Sequence, residues 1–353
     1  MPYNLGMNQL TIVLPFALPM AELAKDLIRA LHAPALAALL SRTSQYAVTP
    51  VDNGSRVLPH ETWLAHALGL SPAPHGSGAS TAFAQAAMRG YGLQPDGGCW
   101  FLIHPIHVQI ARNHLQMGDP RQLTLDQADS RALFDGARPY FDELGKPLLY
   151  GDAHTWFMRA DDWAQLATAS PDTATGHNLN GWMPEGANAL ASRKLQNEVQ
   201  MLWYENAVNQ ARQQRGLGAV NSFWLWGGAA QPAPSASPPL YTADVPSWTA
   251  ALAEPGRRAA TLDGILKDNP RQALAVLGSL SGPGLSEDWS GWLMQMQRLE
   301  QEWFAPLLAA LKDGRIGQLT LVLSNRDTCA EFSGNKNAQR KFWRAITLNK
   351  LST

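Results

Sequence analysis

Acid and base groups are unevenly spread along the chain, and the first places to look for chemistry are where they crowd. Asp152 and His154 sit two residues apart within 148–159, a stretch of strand formers, and a period of two puts both on one face as an acid/base pair. The same spacing also describes the polar outer face of a half-exposed strand. His104, His107 and His114 lie in and just after 100–111, where they invite a metal reading. Against it, His104 and His107 fall on opposite faces of an unbroken strand, which leaves hydrogen-bonded structural histidines or ligand contacts unless Pro105 breaks it. Asp327 is an isolated carboxylate after the last apolar run. Ser77 and Ser80 are small polar residues of the Pro/Gly/Ser stretch 71–80, which reads as a loop.

These groups need elements to hold them. Residues 10–14 (LTIVL) form a continuous apolar strand, and 21–40 is an Ala/Leu-rich helical stretch interrupted near Pro34, which together make a β-α start for a parallel sheet. A short helix is expected over 62–70. Another is expected after Thr124, taken as its cap, toward Pro139. Residues 170–185 read as a long polar loop. Apolar residues at helical spacing run from 190 to 214, ended by Gly216 and Gly218. The period then changes to two through Val220, Phe223 and Leu225, and Gly227-Gly228 closes the strand where backbone or ligand can approach. Residues 229–239 read as a linker, 273–280 as a strand, 289–311 as a long amphipathic helix and 319–323 as a last core strand.

Asn209-x-x-Arg212, then Ala219-Val220-Asn221-Ser222-x-Trp224-Leu225-Trp226-Gly227, resembles the "N-x-x-R … A-N-S-I-W-L-W-G" signature of archaeal-type cofactor-independent phosphoglycerate mutases of the alkaline-phosphatase superfamily. The whole chain more closely resembles the bacterial RpfE-type regulatory proteins related to them. The resemblance implies an α/β fold: a three-layer alkaline-phosphatase-like core, 1–98 and 219–353, with an inserted α+β lobe over 99–218. It also implies ligand-binding roles for Arg112, Asn113, Asn209, Arg212, Asn221 and Trp224, an arginine with amides being what a phosphate or carboxylate needs.

Where the relatives carry metal ligands, this chain departs three times. Leu14-Pro15-Phe16 stands for the Asp-Gly that ends their first strand. Gly282-Pro283-Gly284 replaces a Pro-Asp-Glu-x-x-His passage, and Ser324-Asn325-Arg326-Asp327 replaces Asp-His. Pro171-Asp172 also lacks the histidine of a Pro-His-Asp passage, whereas Pro184 and Gly186 fit the Leu-Pro-x-Gly that follows it. Two-metal phosphoryl chemistry needs charged ligands around both ions. The expectation is therefore a degenerate, non-catalytic protein with no metal or cofactor. It would bind a small anionic metabolite, phosphorylated or carboxylated, or a protein partner in a regulatory role. The alternative is a phosphoglycerate mutase or phosphatase holding Mn, Zn or Mg through Asp152, His154, Asp327 and the His104/His107 pair.

A net charge of -1 and 16% charged residues argue against nucleic-acid or membrane-surface partners. Cys99 and Cys329 have no metal-ligand spacing and read as reduced structural thiols. The apolar run near 10–21 lacks a preceding Lys or Arg and is interrupted by prolines, so it reads as a strand in a cytoplasmic protein. Thirteen tryptophans in 353 residues read as boundary packing or, alternatively, as a stacking site.

Overall fold

The computed structural model describes residues 7–51, 54–71, 81–111, 114–230 and 237–352. In chain order its strands are β1 (Met7–Leu14), β2 (Gln45–Pro50), β3 (Cys99–Ile106), β4 (Val108–Ala111), β5 (His114–Met117), β6 (Leu148–Tyr150), β7 (Trp156–Arg159), β8 (Ser222–Ala230), β9 (Leu240–Ala243), β10 (Gln272–Leu277), β11 (Ile316–Ser324) and β12 (Thr328–Asn335). The helices are α1 (Ala21–Ala30), α2 (Pro34–Ser41), α3 (Pro59–Ala67), α4 (Phe83–Gly90), α5 (Gln127–Glu143), α6 (Pro171–Ala174), α7 (Ala189–Tyr204), α8 (Ala207–Gln214), α9 (Ser247–Ala250), α10 (Leu262–Asp268), α11 (Ser281–Leu285), α12 (Trp289–Leu299) and α13 (Ala305–Asp313). The chain is mixed α/β and divides into two compact units.

The first unit takes Met1–Asn53, Ser237–Pro246 and Ala253–Thr353. Its sheet has the order β2-β12-β11-β1-β10-β9, parallel from β11 through β9 and antiparallel where β12 and β2 are added. The strands expected near the two termini pair directly, with Leu10 opposite Leu319 and Leu14 opposite Leu323. Residues 10–14 of β1, 273–277 of β10 and 319–324 of β11 are all buried. Both faces of the pleat are covered, as the unbroken apolar runs require of parallel strands. Residues 289–311, expected as one helix, are α12 and α13 joined by a π-helical turn, Glu300–Phe304. From that turn the buried Glu300 carboxylate accepts hydrogen bonds from the amides of Ala35 (2.6 Å) and Leu36 (3.0 Å), capping α2.

Gly54–Ala236 and Ser247–Leu252 make the second unit. It contains an antiparallel sheet, β6-β7-β3-β8, and the β4–β5 hairpin. Phe101, Phe141, Trp156, Val199 and Trp203 lie in one apolar core between the sheet and helices α5 and α7. The sequence reading draws the lobe over 99–218. The compact unit runs to Ala236 because β8 pairs with β3 along most of its length.

Four local expectations are corrected. The helix expected over 190–214 is α7 and α8, broken at Glu205 and Asn206, where Asn206 caps the new helix by accepting from the Val208 amide at 2.9 Å. Asp126, accepting from the Asp129 amide at 2.8 Å, caps α5 in place of Thr124. The strand expected over 148–159 is a hairpin of β6 and β7 turning through Gly151–Thr155. Finally, Gly227-Gly228 does not close a strand. β8 runs on to Ala230, with a bulge opposite Trp100/Leu102, and a Cβ on Gly228 would lie 1.9 Å from the Phe101 ring.

Candidate functional site

Four groups of side chains were candidates to carry function, and the structure treats them differently. The first is the motif around α8 and β8. Asn209 Nδ2 donates to the carbonyls of Trp203 and Val220, both at 2.8 Å, and its Oδ1 accepts from the Val220 amide at 2.8 Å. The Trp203 carbonyl, at the end of α7, also accepts from the Asn206 amide at 3.3 Å, so Asn209 adds a side-chain tie from the helix break to the start of β8. Arg212, 1% exposed, donates through Nε and Nη2 to the Gly218 carbonyl at 3.0 and 2.9 Å and through Nη1 to Asp129 Oδ2 at 3.4 Å. Asn221 makes a two-way bridge to the Val108 main chain, both bonds 2.7 Å, and buried Trp224 donates to the Ala169 carbonyl at 2.8 Å. Every one of these four side chains is joined to the protein's own backbone. Arg112 and Asn113 lie outside the described residues, as do Ser77 and Ser80.

The second group surrounds the β6–β7 turn. Asp152 does not share a strand face with His154; its Oδ1 accepts from the His154 main-chain amide at 2.9 Å and its Oδ2 from the Tyr91 hydroxyl at 2.6 Å. Burial, with the Asp152 charge second, raises the Tyr91 phenol, and burial lowers the His154 imidazole. His104 is buried, with Trp226 Nε1 donating to its Nε2 at 2.8 Å and its Nδ1 2.8 Å from the His154 carbonyl. His107 Nδ1 lies 2.7 Å from the Ala219 carbonyl. The histidines thus take the structural reading, as parts of a hydrogen-bonded frame.

A third group was not seen in the sequence. Glu61, on α3, accepts from the Leu58 amide at 2.7 Å, a capping-box contact that a glutamate following Pro59-His60 announces. Burial, then the Asp172 charge, pushes its carboxyl up to about 8, and burial pushes the neighbouring His60 down to about 4. Asp172 forms a bidentate pair with Arg121, whose Nη1 also reaches Asp119 Oδ1 at 3.0 Å. That network joins α6 to the turn before α5. Tertiary folding alone assembles it, since Glu61, Arg121 and Asp172 are far apart in sequence.

The fourth group is the carboxyl edge of the parallel strands in the first unit, where open α/β sheets place their ligands. β1, β10 and β11 end side by side at Leu14, Leu277 and Ser324, so the three passages after them that the resemblance singles out emerge together. They meet on one residue. Phe16, 4% exposed, holds a left-handed backbone (φ 59°) and its carbonyl accepts the Trp292 indole N–H at 2.8 Å. A Cβ on Gly284 would lie 2.6 Å from Phe16 Cβ, and the Arg326 guanidinium stands 6.0 Å from the ring centre. Asp327 is exposed at the tip of the β11–β12 hairpin, where its amide donates to Asn325 Oδ1 at 2.9 Å. An aromatic ring, glycines and an arginine are a poor donor set for a divalent cation. Among the described residues no three His, Cys, Asp or Glu side chains are grouped to hold a metal ion. Cys99 and Cys329 are buried free thiols, each pushed up to about 12 by burial.

No family model matches this chain, and no curated protein does. Solved structures do. The PH0037 protein from Pyrococcus horikoshii is similar at a TM-score of 0.55 and 9% identity, covering 94% of this chain and 88% of that one. A cofactor-independent phosphoglycerate mutase from Thermoplasma acidophilum DSM 1728 is similar at a TM-score of 0.47 and 11% identity, over 98% of this chain and 95% of that one. At 9% identity the likeness to the PH0037 protein is one of fold. Among the described residues no helix is long and apolar enough to cross a membrane.

Proposed function

We propose that this chain is a phosphoglycerate-mutase-like protein of the RpfE type that has no two-metal phosphoryl-transfer chemistry and acts in the cytoplasm as a regulator through binding. The observation that carries the reading is Phe16. In the relatives the first strand ends in an aspartate ligand, whereas here the first strand runs into a buried phenylalanine on which the other two departing passages pack. A transferring phosphoryl group draws its stabilisation from cations held by carboxylates and imidazoles, and an aromatic ring supplies none of that charge.

The binding role favours a protein partner over a small anionic metabolite, because Asn209, Arg212, Asn221 and Trp224 direct their polar atoms into the backbone of their own unit. Elemental analysis of the purified chain, with mutase and phosphatase turnover measured in the presence of Mn, Zn and Mg, tests the reading. Less than a tenth of an ion per chain and no turnover above a blank are expected. Two ions per chain with turnover would overturn it in favour of a mutase or phosphatase using divergent ligands, and Asp152, His154 and Asp327 would then be the first residues to replace.

A further inference from the structure

From Phe332 onward the sequence contains no Asp or Glu, while Lys336, Arg340, Lys341, Arg344 and Lys350 give that segment five cations. Three of them converge on the carboxyl end of α2. Lys350 Nζ donates to the Leu40 carbonyl (2.8 Å) and Thr43 Oγ1 (3.0 Å), Lys341 Nζ to the Thr43 carbonyl (3.1 Å), and Arg344 Nη1 to the Ser41 carbonyl (3.3 Å). The partial negative charge of that helix end faces the side chains of Lys341 and Arg344. Burial, with Arg344 and Lys341 nearby, holds the Lys350 ammonium below the ordinary lysine range. Beside the cluster, Phe342 and Trp343 are 83% and 70% exposed, an edge-to-face pair 5.3 Å apart.

Two residues beyond Thr43 the chain enters β2, the outer strand of the six-stranded sheet. Among the described residues β2 pairs with β12 and with nothing on its other side, and all six of its residues are exposed. QYAVTP carries no charge to guard that edge, and Lys350 Nζ sits 4.9 Å from the Tyr46 ring. Lys341 and Arg344 thus bind the chain at Thr43 and Ser41, just before β2, and Lys350 reaches the ring of Tyr46 on it.

We propose that β2 and the basic aromatic C-terminal segment form a docking surface for an acidic, extended segment of a partner protein. That segment adds as a strand to the outer edge of β2, with its carboxylates meeting Lys341 and Arg344 and its apolar side chains meeting Tyr46, Phe342 and Trp343. Nucleic-acid phosphates or anionic lipid would answer the cations but leave the main-chain donors and acceptors of β2 unused. A second copy of this chain would bring the same cations against themselves. The proposal is independent of the metal-free reading above, and elemental analysis does not bear on it.

The test uses the full chain and a fluorescein-labelled peptide of alternating glutamate and valine, followed by anisotropy, with a lysine-valine peptide as control. The glutamate peptide is expected to bind and the lysine peptide not to. Lys341→Glu/Arg344→Glu should weaken binding by about tenfold or more. Amide hydrogen exchange at 45–50 should slow when the peptide is bound, a readout that needs no variant. The proposal is overturned by absence of peptide binding, by affinity unchanged in the charge-reversed variant, or by exchange at 45–50 unchanged in the complex. Stronger capture of an oligothymidylate or of phosphatidylglycerol vesicles than of the peptide, or dimerisation through β2, also overturns it.

Discussion

Trp226 donates its indole N–H to Nε2 of His104 at 2.8 Å, and this one bond decides the state of the histidine. Indole nitrogen only donates, so Nε2 carries no proton and Nδ1–H donates to the His154 carbonyl. Adding a second proton would set N–H against N–H in a buried site. His104 is accordingly pushed down to about 4, burial being the main cause. A depressed histidine leaves the unfolded chain holding more protons than the folded one below the ordinary value of 6.5. Its contribution is fully present above pH 6.5 and is lost as pH falls through 4. On the order of 2–3 kcal/mol should disappear over that window. Denaturant melts of wild type and His104→Gln at pH 7, 5.5 and 4.5 check this. The variant is expected to be weaker at pH 7 but flatter with pH, and equal slopes would refute it. His60 adds a loss of the same sign, so the variant retains part of the slope.

Glu61 acts in the opposite direction. Its folded value of about 8 lies above the ordinary 4.5, so its contribution is complete below pH 4.5 and drains away as pH rises through 8. Glu61→Gln keeps an oxygen for the Leu58 amide and removes the titration. It is expected to gain about 1–3 kcal/mol over wild type at pH 8.5 and little at pH 5. Melting curves at the two pH values decide it, and a variant weaker at both would show that the carboxyl itself is needed.

Arg212→Ala should cost about 2–3 kcal/mol, because it strips the Gly218 carbonyl of both buried donors, while Asp129 keeps its pair with Arg215 at 2.5 Å. Arg212→Lys should rescue little of that, since an ammonium cannot span both acceptors. The measurement is thermal unfolding of the chain alone. A melting temperature within a degree of wild type would return Arg212 to the role of an anion reader.

Gly284→Ala tests the packing on Phe16. Its new methyl would sit 2.6 Å from Phe16 Cβ, an overlap expected to cost about 1–3 kcal/mol. Phe16→Ala removes the ring and leaves a cavity, but Cβ remains, so combining the two should recover only part of the loss. A double-mutant cycle in urea measures the coupling. Strict additivity would show that the two passages do not press on each other.

Composition and period specified a good deal of this protein. The apolar runs 10–14 and 319–323 are inner strands, in β1 and β11, and the run expected over 273–280 is β10 as far as Leu277. Helix starts were less legible. Thr124 and Asp126 both offer a capping oxygen, and only the chain path shows which one meets the Asp129 amide. The turn at Gly151–Thr155 was hidden because Tyr150 and Trp156 are strand formers that continue the pattern on either side, and pairing between β6 and β7 is long-range information. The site was the least legible part. Residue types told which groups can donate or accept, but Asn209, Arg212 and His104 each met their partners through contacts set by the tertiary fold. Sequence placed Leu14-Pro15-Phe16, Gly282-Pro283-Gly284 and Ser324-Asn325-Arg326-Asp327 after three strands, where the resemblance implies other residues. Only the tertiary structure decided that those three places are one place, centred on Phe16, because strand order and register are fixed by pairing between segments hundreds of residues apart.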